Sequence, residues 1–326
     1  MRLSQATKKR LLNLFRIVIS ACFLALLLSR AELGEVFRRL RDMEVPLWLG
    51  AMALYIAGEF VRGYRWGVLL WSLGSKVRWR RLTSLYFVGS FYNLVLPTGF
   101  GGDAVKVLEL SRDAGATAAI SSVAVERFSG LFVMFLFAAL ALIGGYRLVP
   151  PMIVVAILAV TLASILLVGF LLQRTWIERW GCRLRIDRLF ARVAILRNLY
   201  QSLGLYSRKA LARATCAALV FNLVQILANI LLARAVGIHV PVAYFFLFVP
   251  IVAFTNLLPS LGGLGLREGA YVFLFTQVGV DHDHALALAL ARDMTLLGLG
   301  LIGALVYVVQ SALASRRKAE RSAPLE

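Results

Sequence analysis

Acidic and basic residues stand side by side, or one helical turn apart, inside apolar stretches of this sequence. Burying such a charge in a bilayer costs about 2.5–3.5 kcal/mol on insertion scales, so charges at these positions are candidates for function. We interpret them as binding residues for a charged substrate and assign no catalytic residue. The pairs are Glu59 with Arg62, Asp103 with Lys106, Glu126 with Arg127, Arg267 with Glu268, and Arg292 with Asp293.

Two breaks interrupt the apolar sequence half a chain apart, at residues 93–102 and 256–265. Paired Gly- and Pro-rich interruptions in corresponding halves are typical of the discontinuous helices at transporter binding sites. Each break is expected to lead into a helix, with Asp103 as the N-cap of the first and with the second beginning near Leu266. The break positions assigned to substrate binding are Asn93, Pro97, Gly101, Gly102, Asn256, Pro259, Gly262 and Gly263.

The two expected helix starts would suit an anion, because helix N-termini present free N–H groups and a positive dipole end. Lys106 and Arg267 lie close behind these starts. Arg127 and Arg292 would join them if the helices that carry them pack against the breaks. The four bases would then line an anion-binding cavity near the midplane of the membrane. Acidic residues would position these bases, namely Asp103, Glu126, Glu268 and Asp293. Glu59 and Arg62 are assigned to the site as a secondary pair.

A structural interpretation of the same charges competes with binding, since they could be ion pairs that hold the helices together. Adjacent residues on a helix do not face each other, so each member of an adjacent pair needs a partner elsewhere. Arg65, one turn after Arg62, could likewise snorkel toward the end of its helix beside Trp66.

The elements that carry these residues are apolar and long. The chain has 326 residues, 60% of them hydrophobic, and a mean hydropathy of +0.79. A soluble core cannot absorb that much apolar surface, and several runs reach the ~20 residues that cross a bilayer. We predict an all-α polytopic membrane protein with two re-entrant or broken-helix hairpins, at 82–113 and 242–280. About six full spans are predicted, at residues 11–29, 47–73, 115–145, 152–172, 211–236 and 285–313.

The distribution of the formal net charge of +19 predicts a topology. Lys and Arg collect in the N-terminal segment, the 75–81 loop, the 173–213 segment and the C-terminal tail, which marks these as cytoplasmic. The balanced 30–46 connection and the acidic 279–284 loop would lie outside. The two hairpins would then enter from opposite faces. Within the single transmembrane domain, 1–326, residues 1–146 and 152–313 would form an inverted repeat.

The segment 173–210 interleaves arginines with large apolar residues. It is interpreted either as a basic amphipathic helix on the cytoplasmic membrane surface or as a solvated connector. In a membrane protein, the positive charge indicates an anionic lipid surface rather than nucleic acid. The three cysteines and three histidines have no ligand spacing, and we predict neither a metal site nor a cofactor. Phosphate-loop, His-Glu-x-x-His and Gly-x-Ser-x-Gly motifs are missing, so an enzyme is not expected.

The break motifs resemble those of a known family. Leu-Pro-x-Gly-x-Gly-Gly-Asp at 96–103, Val-Glu-Arg at 125–127 and Leu-Pro…Gly-Gly-Leu-Gly-Leu-Arg-Glu-Gly at 258–269 are similar to the flippase-like transmembrane domain of the lysylphosphatidylglycerol synthetases. The resemblance implies a membrane domain that moves lipids or lipid-linked headgroups between leaflets. The soluble aminoacyl-transferase domain of the bifunctional members has no counterpart in this sequence, so lipid lysylation is not implied.

Three functional hypotheses follow. The first is a translocase of the inner or plasma membrane, with both termini cytoplasmic, for an anionic phospholipid or lipid-linked substrate. The second is an integral membrane enzyme that acts on a lipid or a lipid-linked sugar, with Asp103 or Glu126 as acid or base. The third is a non-transporting partner that recruits a lipid-biosynthesis enzyme through the basic segment. A homo-oligomer is compatible with each.

Overall fold

The computed structural model describes residues 25–96, 101–172, 204–255 and 263–322, with side chains described up to 166 in the second range and up to 313 in the last. Within these ranges the chain forms helices and no strand. Several predictions fall outside them in whole or in part: most of the first span at 11–29, most of the connector at 173–210, and the break residues Pro97, Asn256, Pro259 and Gly262.

Ten helices are described. They are α1 (Leu33–Arg41), α2 (Val45–Ser72), α3 (Trp79–Val95), α4 (Gly101–Ala114), α5 (Ala116–Gly145), α6 (Pro151–Leu172), α7 (Arg208–Ala235), α8 (Val242–Thr255), α9 (Leu266–Thr276) and α10 (His282–Ser322). A 3₁₀ turn, Tyr146–Leu148, follows α5.

Long apolar helices dominate this order. In the described part of the chain, four helical stretches are long and apolar enough to cross a membrane, namely Val45–Ser72, Ala116–Leu148, Arg208–Ala235 and His282–Leu313. Pro151–Leu166 and Val242–Thr255 are shorter apolar stretches. These helices confirm the predicted class of an all-α membrane protein. The count of six full spans and the inverted repeat stay predictions.

The first break lies between two antiparallel helices, α3 and α4, which together form the first hairpin. Near its open end, Arg81 on α3 forms ion pairs with Glu109 at 2.8 Å and with Asp113 at 3.4 Å, both on α4. At its closed end, the Gly102 N–H donates to the Asn93 side-chain oxygen at 2.8 Å. That bond satisfies one of the N–H groups that a helix N-terminus leaves without a backbone partner.

The second break lies between α8 and α9, which form the second hairpin. Phe245 and Phe248, near the start of α8, contact Phe275 near the end of α9, with ring centroids 5.6 and 5.2 Å apart. Gly263 and Gly265 precede α9 with φ of 90° and 82°. Glycine adopts these left-handed angles without the steric penalty of a side chain, which lets the chain turn sharply into α9.

The two hairpins open at opposite ends of the bundle. Arg81, at the open end of the first, also contacts Gln310 of α10 at 3.3 Å. The second opens beside the C-terminal end of α5, where a Cβ placed on Gly145 would lie 3.1 Å from Leu247. At that same end Glu44 donates its N–H to the Ala235 carbonyl at 2.9 Å. The 30–46 connection and the 75–81 loop therefore lie at opposite ends of the bundle. The distribution of charged residues predicts the same separation.

The long helices hold the hairpins through very close contacts. A Cβ on Gly303 of α10 would clash with the Phe87 carbonyl oxygen of α3, and one on Gly300 would clash with Leu94. Tyr307 stacks on Phe91 one turn further along, with centroids 6.3 Å apart. Small residues allow membrane helices to approach closely and gain dispersion energy. The first hairpin is thus packed against the last helix of the chain.

Candidate functional site

A cavity of about 260 Å³ lies inside the bundle. One part of its wall is apolar and comes mainly from α5, α7 and α8. Its polar part combines the side chains of Asn222, Gln225, Asn229 and Tyr271 with charged groups from α2, α4, α5 and α10. The charged residues on the wall are Arg62, Arg65, Asp103, Glu126, Arg127 and Arg292, four arginines against two carboxylates.

Asp103 anchors the charged wall on the first hairpin. Its carboxylate accepts a hydrogen bond from the Arg127 guanidinium of α5 and lies 2.8 Å from the Lys106 ammonium. The prediction that Asp103 caps the helix is wrong, because α4 already begins at Gly101 and Asp103 lies in its first turn. From there its side chain reaches two cations.

Glu126 is the second acid of this network and is buried between two bases. It accepts a hydrogen bond from Arg65 and lies 3.7 Å from Lys106. The Lys106 ammonium also lies 4.0 Å from the centre of the Tyr86 ring, a cation–π contact. These partners come from α3, α4 and α5, and Lys106 does not line the cavity.

Arg65 was interpreted as a snorkelling residue, and that interpretation is wrong. Its side chain is 4% exposed and its guanidinium points to Glu126, 61 residues away in sequence. The neighbouring residue follows the same inward direction, since the buried Trp66 indole donates to the Ser122 hydroxyl at 2.8 Å. Arg65 therefore belongs to the charged wall of the cavity.

The predicted pair of Glu59 and Arg62 is confirmed, with 3.1 Å between carboxylate and guanidinium. Glu59 is buried and also accepts a hydrogen bond from Ser90 of the first hairpin at 3.4 Å. The guanidinium carbon of Arg62 lies 4.6 Å from the Tyr86 ring centre and 5.4 Å from that of Phe221. Arg62 is thus held between two rings at the edge of the cavity.

A second ion-pair network ties the second hairpin to α10. One nitrogen of Arg267 lies 3.0 Å from Glu268 and 2.7 Å from Asp293. The other oxygen of Glu268 accepts the Gly265 N–H, which caps the start of α9 as expected for a helix beginning at Leu266. Arg267 is buried behind the cavity and does not line it.

Arg292 and two polar side chains complete the wall near this network. The Arg292 guanidinium carbon lies 5.9 Å from the centre of the Tyr271 ring. The Tyr271 hydroxyl donates to the side-chain oxygen of Asn229, whose amide nitrogen lies 3.4 Å from the Tyr55 hydroxyl. This chain of hydrogen bonds joins α9, α7 and α2.

The structure distributes the predicted site residues over three places. On the cavity wall are Asp103, Glu126, Arg127, Arg292 and, from the secondary pair, Arg62. In the networks behind it are Lys106, Arg267, Glu268, Asp293 and Glu59. At the hairpin breaks are Asn93, Gly101, Gly102 and Gly263, which shape the backbone.

Other wall residues had not been assigned from the sequence as binding residues. Arg65 could have been found from its spacing, because it follows Arg62 by one helical turn on the same face. Asn229 and Tyr271 carry no motif that would distinguish them from other residues of apolar helices.

Known proteins were compared with the whole chain. A family model described as the lysylphosphatidylglycerol synthase TM region matches residues 13–304. The chain belongs to this family. The match includes both hairpins and both ion-pair networks, and it confirms the family that the break motifs indicate. No curated protein and no solved structure matches the chain. With its apolar helices, the chain is therefore a membrane protein of the lysylphosphatidylglycerol synthase TM family.

Proposed function

We propose that this member of the lysylphosphatidylglycerol synthase TM family is a lipid translocase that binds an anionic headgroup in the cavity between the two hairpins. The observation that carries the proposal is the wall of the cavity, where four arginines face the interior with only two carboxylates. The translocase would act in the inner or plasma membrane with both termini cytoplasmic. Its partner there would be an anionic phospholipid or a lipid-linked substrate.

The chemistry of the wall favours an anion. Guanidinium groups match the oxygen geometry of phosphate and carboxylate, and they stay charged when buried. A cavity with low-dielectric walls strengthens the attraction relative to water. The carboxylates of Asp103 and Glu126 hold Arg127 and Arg65 in place. An arriving headgroup would therefore meet donors whose positions are already fixed.

The helix arrangement supports movement between leaflets. Broken helices that meet near the middle of a membrane are the elements around which transporters alternate access. Here the first hairpin opens beside Gln310 and the second beside Gly145, at opposite ends of the bundle. The residues of the cavity wall come from both hairpins and from the long helices that flank them.

The test is a leaflet-resolved assay in proteoliposomes with a fluorescent anionic lipid. The purified chain should accelerate transfer between leaflets. Arg127→Gln should slow transfer at least tenfold, because it removes a cation from the wall. Arg112→Gln is the matched control, since Arg112 also lies near the first hairpin but its side chain is 79% exposed. Arg112→Gln should behave as wild type.

Two readouts separate this function from the other hypotheses. Lipids recovered from the vesicles should be unchanged in mass, since Asp103 and Glu126 are engaged with cations and no reaction is proposed. A product of altered mass would instead indicate an enzyme. If the purified chain moves no lipid, or if Arg127→Gln moves lipid as fast as wild type, the translocase or its site is wrong.

A further inference from the structure

Arg65 presents donors to the cavity that no group of the described structure accepts. One terminal nitrogen of its guanidinium binds Glu126, while its Nε and its other terminal nitrogen, Nη1, are buried without a hydrogen-bond partner. A buried donor without an acceptor is costly, and native structures contain few of them. An unpaired edge of a buried guanidinium at a cavity wall is the place where an oxyanion would bind.

Gly130 on α5 leaves this edge open. A Cβ at Gly130 would lie 3.3 Å from Nη1 of Arg65 and 3.6 Å from Nη2. Any side chain there would crowd the guanidinium at the cavity that both residues line. The Phe221 ring, whose centre is 5.8 Å from the Arg65 guanidinium carbon, bounds another side. Access to Arg65 therefore depends on residue 130 having no side chain.

The wall next to Gly130 is apolar. Leu131 and Met134 continue α5 away from Arg65, and Ile226 and Val249 face the same space from α7 and α8. A free inorganic anion would gain nothing from these residues. An alkyl chain attached to the anion would bury apolar surface against these residues on leaving water, which is favourable.

We infer that Arg65 is the residue that contacts a phosphoryl oxygen of the lipid headgroup, and that Gly130 controls access to it. The first part of the attached apolar chain lies along Leu131, Met134 and Val249. This inference rests on the proposed function, because it takes the cavity as the lipid site. It goes further in naming the contact atom, the orientation of the amphiphile and the residue that admits it.

The experiment measures binding to the purified full chain in detergent, by calorimetry, with two probes. These are dioctanoyl phosphatidic acid and inorganic phosphate. Gly130→Ala should weaken phosphatidic acid binding several-fold and Gly130→Val at least tenfold. The matched series is Gly144→Ala and Gly144→Val on the same helix, where a Cβ meets nothing within 4 Å. That series should leave binding unchanged. Arg65→Lys keeps the charge and loses guanidinium donors, and it should weaken binding at least tenfold.

The outcomes distinguish a lipid headgroup from free phosphate as the ligand, and they test the contact with Arg65. Phosphatidic acid should bind at least a hundredfold more tightly than inorganic phosphate, and equal binding would overturn the apolar orientation. If both Gly130 variants and Arg65→Lys bind phosphatidic acid as wild type does, the proposed Arg65 contact is wrong. The proposed function would still stand if the wild-type chain transfers lipid between leaflets. A wild-type chain that neither binds phosphatidic acid nor transfers lipid would overturn both. Thermal unfolding of each variant distinguishes lost binding from lost folding, and the graded Gly130 series keeps the test valid if Arg65→Lys does not fold.

Discussion

Arg267 on the second hairpin and Asp293 on α10 form an ion pair at 2.7 Å, and it has a counterpart with reversed charges in the first half of the chain. There Asp103 on the first hairpin pairs with Arg127 on α5. In both halves a short helix after a break is joined to the long helix that follows it. The acid belongs to the hairpin in one half and to the long helix in the other. The two halves consequently have similar backbone elements but an asymmetric charge pattern.

Removing one member of the second pair should destabilise the protein strongly. Asp293→Ala removes a carboxylate that lies 2.7 Å from the buried Arg267 guanidinium, and breaking a buried pair in this way costs about 3 kcal/mol or more. Asp113→Ala removes a partially exposed partner of Arg81 and should cost about 1 kcal/mol or less. Unfolding in detergent measures both variants. An equal decrease in the free energy of unfolding for the two variants would show that the Arg267–Asp293 pair stabilises the protein no more than a surface pair does.

The closed end of the first hairpin should not tolerate a side chain at Gly102. A Cβ there would clash with the Gly89 carbonyl oxygen, so Gly102→Ala should separate α3 from α4 and destabilise by about 1–3 kcal/mol. Gly34→Ala is the control, since nothing lies within 4 Å of that position in α1. It should stabilise slightly, by about 0.5–1 kcal/mol, because alanine favours helix more than glycine does. An unchanged midpoint for Gly102→Ala would contradict the close packing.

The hydrogen bond between Tyr271 and Asn229 should contribute modestly to stability and more to transport. Hydrogen bonds between membrane helices average about 0.6 kcal/mol and reach about 1.7 kcal/mol, so Tyr271→Phe should destabilise within that range. Tyr64→Phe, at an exposed position on α2, should have no effect. Because Tyr271 lines the cavity, Tyr271→Phe should also slow lipid transfer. Wild-type transfer by Tyr271→Phe would exclude the hydroxyl from the transport cycle.

The two ends of the bundle should face different compartments. In a chain with its cysteines replaced by serine, Lys76→Cys should react with an impermeant thiol reagent only from the cytoplasmic side. Asp281→Cys should react only from outside, because the positive-inside rule assigns the arginine-rich 75–81 loop to the cytoplasm. Both positions are exposed. Labelling of both from one side would refute the predicted topology.

The hairpins could be predicted because their signals are local. Glycine and proline break a helix wherever they occur in number, and the apolar runs on either side give the lengths of the flanking helices. The start of α9 at Leu266 was confirmed for this reason. An N-cap at Asp103 would start α4 at residue 104, three residues after the observed start, since Asp103 is both a good cap and a good partner for nearby cations.

The inner wall of the cavity could not be predicted in the same way. Whether Arg65 points to a helix end or to Glu126 depends on how α2 packs against α5, and no local pattern contains that information. Lys106 and Arg267 were expected to line the cavity because they lie close to helix starts. Lys106 instead contacts Asp103 and Glu126 from behind the cavity wall, and Arg267 contacts Glu268 and Asp293. Each direction is set by the rotation of the helix about its own axis.

The contact of Gly303 with Phe87 has a consequence for biogenesis. The first hairpin enters the membrane early in synthesis, yet Gly303 of α10 follows Phe87 of α3 by 216 residues in the sequence. At roughly 5–20 residues per second, translation needs on the order of 10–40 s to supply it. During that interval the polar closed end around Asn93 and Gly102 has no α10 beside it. Insertion machinery or a chaperone that shields this hairpin until α10 is made would shorten its exposure to lipid and to proteases.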